Sequence, residues 1–244
     1  MTTRGHRVGL VATNDYIFFS TKDNLYARSR HNKFDSSVIF TENMARITCV
    51  SPCNDGTRVA IGDEKGKVSL LKLAGGKFEI VKEHMMCNGV VNEILWSPDN
   101  KFIVAVGDKA SCLNPETGGR GGDVTGHTGL VLCGALTDQK VLFTAGESNE
   151  ILRHEGIPFK GNGTRVSHPH TGFVNQLRLS PDGNFFVTVS LDKSICIFDT
   201  KTSELKHHIN SAHEMGIYDV AWIDNENFVT VSADNSAKYW HMAE

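Results

Sequence analysis

The apolar positions of this chain recur in short alternating runs broken by turns, and nowhere keep the 3.6-residue period of a helix. Residues 174–199 carry the pattern in full. In VNQLRL the apolar Val174, Leu177 and Leu179 mark a half-buried strand. Ser180-Pro181-Asp182-Gly183 then places Pro and Gly where a tight turn needs them, and Phe185 to Val189 is rich in the residues that favour a second strand. Asp192-Lys193 makes the next turn, and Ser194 to Phe198 alternates as a third strand. A fourth strand, more polar because it lies at a sheet edge, is expected at Glu204 to Ile209. The same spelling returns in VNEILWSPDNKFIVAVGD at 91–108 and in YDVAWIDNENFVTVSAD at 218–234.

Six such units can be traced, starting near residues 8, 46, 90, 130, 173 and 216, and His84, His127, His170 and His213 follow one another at intervals of 43 residues. A repeat of about 40 to 45 residues built from short strands and small turns is a propeller blade rather than a helical solenoid unit. The expected fold class is therefore all-β, a propeller of four-stranded antiparallel blades in a single domain over residues 1–244.

Charge and composition narrow the function. Twenty-five Lys and Arg stand against 28 Asp and Glu, a net charge of −3, so no global field would hold the chain on a phosphate backbone. The apolar stretch near the N-terminus is broken by Asn14 and Asp15, too early for a secretory leader, and no run approaches the ~18 apolar residues of a membrane helix. The expected location is the cytosol. Cys49, Cys53, Cys87, Cys112, Cys133 and Cys196 are scattered without a CxxC and sit in apolar surroundings, as buried reduced thiols do.

Segments that imitate chemistry do not sustain it. Gly62-Asp63-Glu64-Lys65-Gly66-Lys67-Val68 has three residues where a phosphate loop needs four and Val68 where the metal-binding hydroxyl belongs, so it reads as a blade turn. Gly118-Gly119-Arg120-Gly121-Gly122 lacks the strand and helix of a dinucleotide loop and reads as a flexible loop. His168-Pro169-His170 and His207-His208 have no carboxylate or thiolate at ligand spacing, and no metal or cofactor is expected. A serine and an aspartate near a histidine could serve as nucleophile and base, but the arrangement recurs in several units, and catalysis needs one such site where a repeated scaffold needs many. No catalytic activity is expected.

With SPDG, then S-x-D, then an aromatic near the end of a unit that begins with His, the chain resembles the WD-repeat family. The resemblance implies hydrogen-bonded tetrads inside the blades, matched here by His170, Ser190, Asp192 and Phe198 and by His213, Ser232, Asp234 and Trp240. It also implies seven blades, against six traced. Either the chain is a fragment, or residues Met1 to Arg7 pair as a missing outer strand to close a smaller ring; an open ring would expose strand edges and associate. Gly156-Ile157-Pro158-Phe159-Lys160, His170 to Gly183 and Ala212 to Trp222 further resemble the N-terminal propeller of the actin-interacting protein 1 family. That likeness implies an interaction protein whose partners are actin filaments and cofilin, promoting disassembly of cofilin-decorated filaments. A scaffold or adaptor for another multiprotein complex is the alternative. Phe159 and Lys160, in a loop bounded by Pro and Gly, and the turn acids Asp108 and Glu147 are the candidate contacts; filling a blade edge is the other reading of Phe159, and solvated turn acids that of Asp108 and Glu147.

Overall fold

The computed structural model describes residues 10–21, 24–31, 38–41, 45–74, 77–156, 159 and 161–242. Every regular element among them is a strand, and the strands form six sheets in chain order except Gly161–Asn162, which pairs in parallel with Val124 and Thr125 at the edge of the third sheet. The chain divides into two compact units, Met1–Gly122 and Asp123–Glu244.

In the first unit, Leu10–Ala12, Tyr16–Ser20, Asn24–Ser29 and Val38–Thr41 form the first sheet, and Ile47–Pro52, Arg58–Asp63, Lys67–Ala74 and Lys77–Met85 the second. The third begins with Glu93–Trp96, Ile103–Val106 and Ala110–Leu113, followed by Arg120–Thr125. In the second unit the fourth sheet holds Val131–Leu136, Val141–Gly146, Ile151–Glu155 and Thr164–Val166. The fifth holds Val174–Leu179, Phe185–Ser190, Ile195–Asp199 and Leu205–Ile209, and the sixth Ile217–Trp222, Asn227–Ser232 and Ala237–His241. The segment Met1 to Arg7, expected as a closing strand, lies outside the described residues.

The turns form for the reasons the sequence suggests. Gly183 sits at φ +71 and its N–H donates to the Ser180 carbonyl, while the Ser180 hydroxyl donates to Asp182 Oδ1 at 2.6 Å. Residues Arg120 to Gly122, expected in a flexible loop, instead open a strand, and the Arg120 guanidinium donates to the Met85 carbonyl at 2.8 Å. The strand supplies backbone partners that outweigh the freedom of its glycines.

Four first strands share one irregularity, a slip of register at Ile47/Cys49, Val131/Cys133, Val174/Gln176 and Ile217/Asp219. Such a bulge turns one residue out of the ladder. In two cases that residue ties its sheet to the next: Thr48 Oγ1 donates to the Val91 carbonyl and Asn175 Nδ2 to the Ile217 carbonyl, both at 2.6 Å. A second tie recurs further along, where Trp96 Nε1 donates to the Ser51 carbonyl at 2.9 Å and Trp222 Nε1 to the Arg178 carbonyl at 3.1 Å.

Apolar packing does the rest. Val187, Val189, Ile195 and Ile197 of the fifth sheet meet Ile217, Val220 and Phe228 of the sixth, each burial stabilising by roughly 1.5–3 kcal/mol. Phe143 and Phe186 lie 4.4 Å apart between the fourth and fifth sheets, and Phe186 stacks on Phe198 at 4.8 Å. Because the fifth sheet is covered on both faces, Val174 to Leu177 are all buried, and the half-buried alternation expected there does not hold. Asn175 and Gln176 bear burial because each is hydrogen-bonded. On the sixth sheet, Val231 and Tyr239 occupy the positions of buried Val189 and Ile197 but are 43% and 62% exposed.

Candidate functional site

Three histidines anchor polar networks inside the second unit. In the sixth sheet Trp240 Nε1 donates to Thr230 Oγ1 at 2.8 Å, Thr230 Oγ1 lies 2.7 Å from His213 Nε2, and His213 Nδ1 lies 2.9 Å from Asp234 Oδ2. The carboxylate only accepts, so the imidazole proton sits on Nδ1 and Nε2 accepts from the threonine hydroxyl. The fifth sheet repeats this with His170, at 2.8 Å from Thr188 Oγ1 and 3.1 Å from Asp192 Oδ2. Burial alone would raise the Asp192 carboxyl, but bonds from His170, Ser194 and the Thr171 N–H hold it far below the usual carboxylate range. Bonds from Ser236 and His213 hold Asp234 low in the same way.

The hydroxyl on Nε2 of each histidine is a threonine, and that near Nδ1 is Ser194 or Ser236, not the expected Ser190 or Ser232. Thr188 and Thr230 lie one side-chain repeat further into the strand, in reach of the imidazole, whereas the serines sit at the strand end and accept from the N–H groups of Asp192 and Asp234. Phe198 has no donor to give Thr188; it stacks on Phe186 instead. The His84 spacing is a coincidence of number. His84 lies in the outer strand Lys77–Met85 with Nε2 unbonded, while Cys87 takes the place of the network histidine, since the next N–H, that of Asn88, donates to Asp108 just as those of Thr171 and Glu214 donate to Asp192 and Asp234.

The fourth sheet spells its turn differently. Gly146 pairs with Val131 as Ser190 pairs with Val174, so Ser148 stands where Asp192 does and Glu150 where Ser194 does. Ser148 Oγ binds His127 Nδ1 at 2.9 Å, and Thr144 Oγ1 bridges His127 Nε2 and His154 Nε2 at 2.9 and 3.1 Å. His154 thus replaces the tryptophan of the sixth sheet; burial, then the nearby His127, push its pKa down to about 4. A Cβ at Gly163 would lie 2.3 Å from His154 Cε1, which explains the glycine there.

The expected contacts divide. Phe159 is 0% exposed, so its ring belongs to packing and offers no surface to a partner, and Lys160 lies outside the described residues. Asp108 is exposed, with both oxygens accepting from Asn88. Glu147 is half-buried, and its Oε2 accepts from the Leu130 N–H at 3.4 Å. Asp108 belongs to the first unit and Glu147 to the second. Both acids therefore brace a turn while keeping some carboxylate surface.

The other segments are structural. Asp63 Oδ1 accepts from the N–H groups of Lys65 and Lys67, so the loop resembling a phosphate cradle fills itself with its own carboxylate. All six cysteines are free and buried, and burial pushes Cys49 and Cys196 up to about 12. Among the described residues no group of three or more His, Cys, Asp or Glu could hold a metal ion, and no helix is long and apolar enough to cross a membrane.

The profile of the family described as "WD domain, G-beta repeat" matches residues 162–199 and 203–241, which span the fifth and sixth sheets and their networks. The chain carries WD40 repeats. It is 30% identical to Actin-interacting protein 1 of Drosophila melanogaster over 83% of this chain and 34% of that protein. It is 32% identical to Actin-interacting protein 1-2 of Arabidopsis thaliana over 88% of this chain and 36% of that one, and 30% identical to WD repeat-containing protein 1 of Gallus gallus over 84% and 35%. The chain thus spans about a third of the length of these relatives. The crystal structure of Sqt1 from Chaetomium thermophilum shares its propeller fold, with a TM-score of 0.80 at 17% identity over 96% of this chain and 68% of that one. The WD40 repeats explain the Thr, His and Asp networks as blade scaffolding.

Proposed function

We propose that this WD-repeat chain is a non-enzymatic interaction platform of the actin cytoskeleton, acting in the cytoplasm to promote disassembly of cofilin-decorated filaments. One observation carries the reading: relatives from an animal and a plant, each matched over more than four-fifths of this chain, bear names that state an interaction with actin. The polar groups that imitate a catalytic set are consumed in the networks, which leaves surface recognition as the work of the domain. Asp108 and Glu147 are the carboxylates we assign to contacts with basic groups of the partner.

Co-sedimentation of the 244-residue chain with actin filaments, with and without cofilin, tests this. Cofilin-dependent pelleting of the chain, or more actin in the supernatant, is the expected result. Unchanged distributions in both mixtures would overturn the proposal for this chain and favour the scaffold of another complex.

A further inference from the structure

A cavity of about 350 Å³ in the second unit is lined by Glu150, Ile151, Arg165, Val166, Ser167 and His168. It lies at the end of the strand pair in which Ile151 faces Val166 and Leu152 faces Arg165. Two of these lining residues carry a buried polar atom without a hydrogen-bond partner, Glu150 Oε2 and His168 Nδ1. Such atoms cost free energy unless a ligand or solvent satisfies them.

Sequence register explains why one carboxylate oxygen lacks a partner here. In the fifth and sixth sheets the turn reads Asp-x-Ser, and the acid is bound by its histidine: Asp192 by His170, Asp234 by His213. In the fourth sheet the two residues are exchanged, so Ser148 serves His127 and Glu150 does not enter the network. One oxygen of Glu150 pairs with Arg165 Nη1 at 2.5 Å; the Glu150 side chain is 17% exposed and that of Arg165 71%, so the arginine end of the pair stands largely in solvent. His168 lies beside His170, with ring centroids 6.1 Å apart. Burial and His170 keep the His168 imidazole below its ordinary pKa, against the pull of Glu150 and Asp192, so at neutral pH it offers an acceptor when its proton is on Nε2.

We propose that this pocket receives the cationic end of a lysine or arginine side chain of a partner polypeptide, with Glu150 Oε2 and His168 Nδ1 as its acceptors. Two acceptors match a group with several N–H donors, and the carboxylate supplies the opposing charge when the incoming cation takes the place of Arg165. The site does not depend on what the partner is, so it stands apart from the actin reading.

N-acetyl-lysine methylamide and N-acetyl-arginine methylamide, titrated into the isotope-labelled chain and followed by NMR, provide the test, with N-acetyl-norleucine methylamide as the uncharged control. Saturable shifts at Glu150 and at residues 165–168 are expected for at least one cationic probe, with a Kd on the order of 1 mM for a single side chain. The probe that binds more tightly identifies the source. Glu150→Gln should weaken binding at least fivefold with an unchanged melting temperature, and protonating His168 at lower pH should weaken it again. Absence of saturable shifts with both cations, equal binding by norleucine, or undiminished binding by a folded Glu150→Gln chain would overturn the proposal. Actin co-sedimentation reads none of these outcomes, so either proposal can fail alone.

Discussion

Thr188 Oγ1 lies 2.8 Å from His170 Nε2, and both side chains are shut away from solvent in the fifth sheet. Thr188→Val keeps the shape but leaves the imidazole nitrogen unpaired, a loss of about 1–3 kcal/mol. Ser190→Ala removes only an acceptor for the Asp192 N–H and should cost less. Urea unfolding of the two variants checks the order; a larger loss for Ser190→Ala would return the network hydroxyl to the serine.

The sixth sheet tests the indole donor. Trp240→Phe deletes the N–H that reaches Thr230 while keeping a ring, and should cost on the order of 1 kcal/mol. The reverse change in the fifth sheet, Phe198→Trp, does not gain that amount, because Phe198 is fully buried against Phe186 and a larger ring overpacks the site.

Phe159→Ala should behave as a core truncation, with a loss of about 3–5 kcal/mol read as a lower melting temperature. A variant that stays as stable as the parent but binds a partner less well would restore Phe159 to the surface.

Equivalent positions should respond according to cover rather than residue type. Ile197→Ala removes a buried contact to the sixth sheet and should cost about 2–5 kcal/mol, whereas Tyr239→Ala, at the matching but exposed position, should stay within about 0.5 kcal/mol. Denaturant midpoints of the pair decide it.

Acid should destabilise the fold in two windows. His154 has a folded pKa of about 4, lowered from 6.5, so the unfolded chain binds the extra proton: the stability is fully present above pH 6.5 and is lost as pH falls towards 4. His154→Gln should flatten the stability profile in that range. Asp192 is held below its unfolded value of about 3.9, so its contribution is present above that pH and disappears as pH falls further towards the lower folded pKa. Asp192→Asn should flatten only the more acidic limb.

By itself the sequence determined the strands, the turns and the repeat, because these rest on interactions between near neighbours. Alternating Val and Ile, the Pro and Gly of 180–183 and the Asp-x-Ser turns announce themselves within one unit. Which residues join in a network was decided by strand register, which brings Thr188 rather than Ser190 to a histidine 18 positions away and leaves His84 outside although its spacing is right. Cover was decided by the neighbouring sheet: Ile197 and Tyr239 hold the same place in their repeats, yet only one has a sheet packed over it. The same is true of Phe159, whose loop sequence looks like an exposed anchor and whose ring is buried. Glu150 shows both levels together. The exchange of serine and acid is visible in the sequence, but the pocket that makes an unpaired oxygen of it exists only where two strand ends and Arg165 meet.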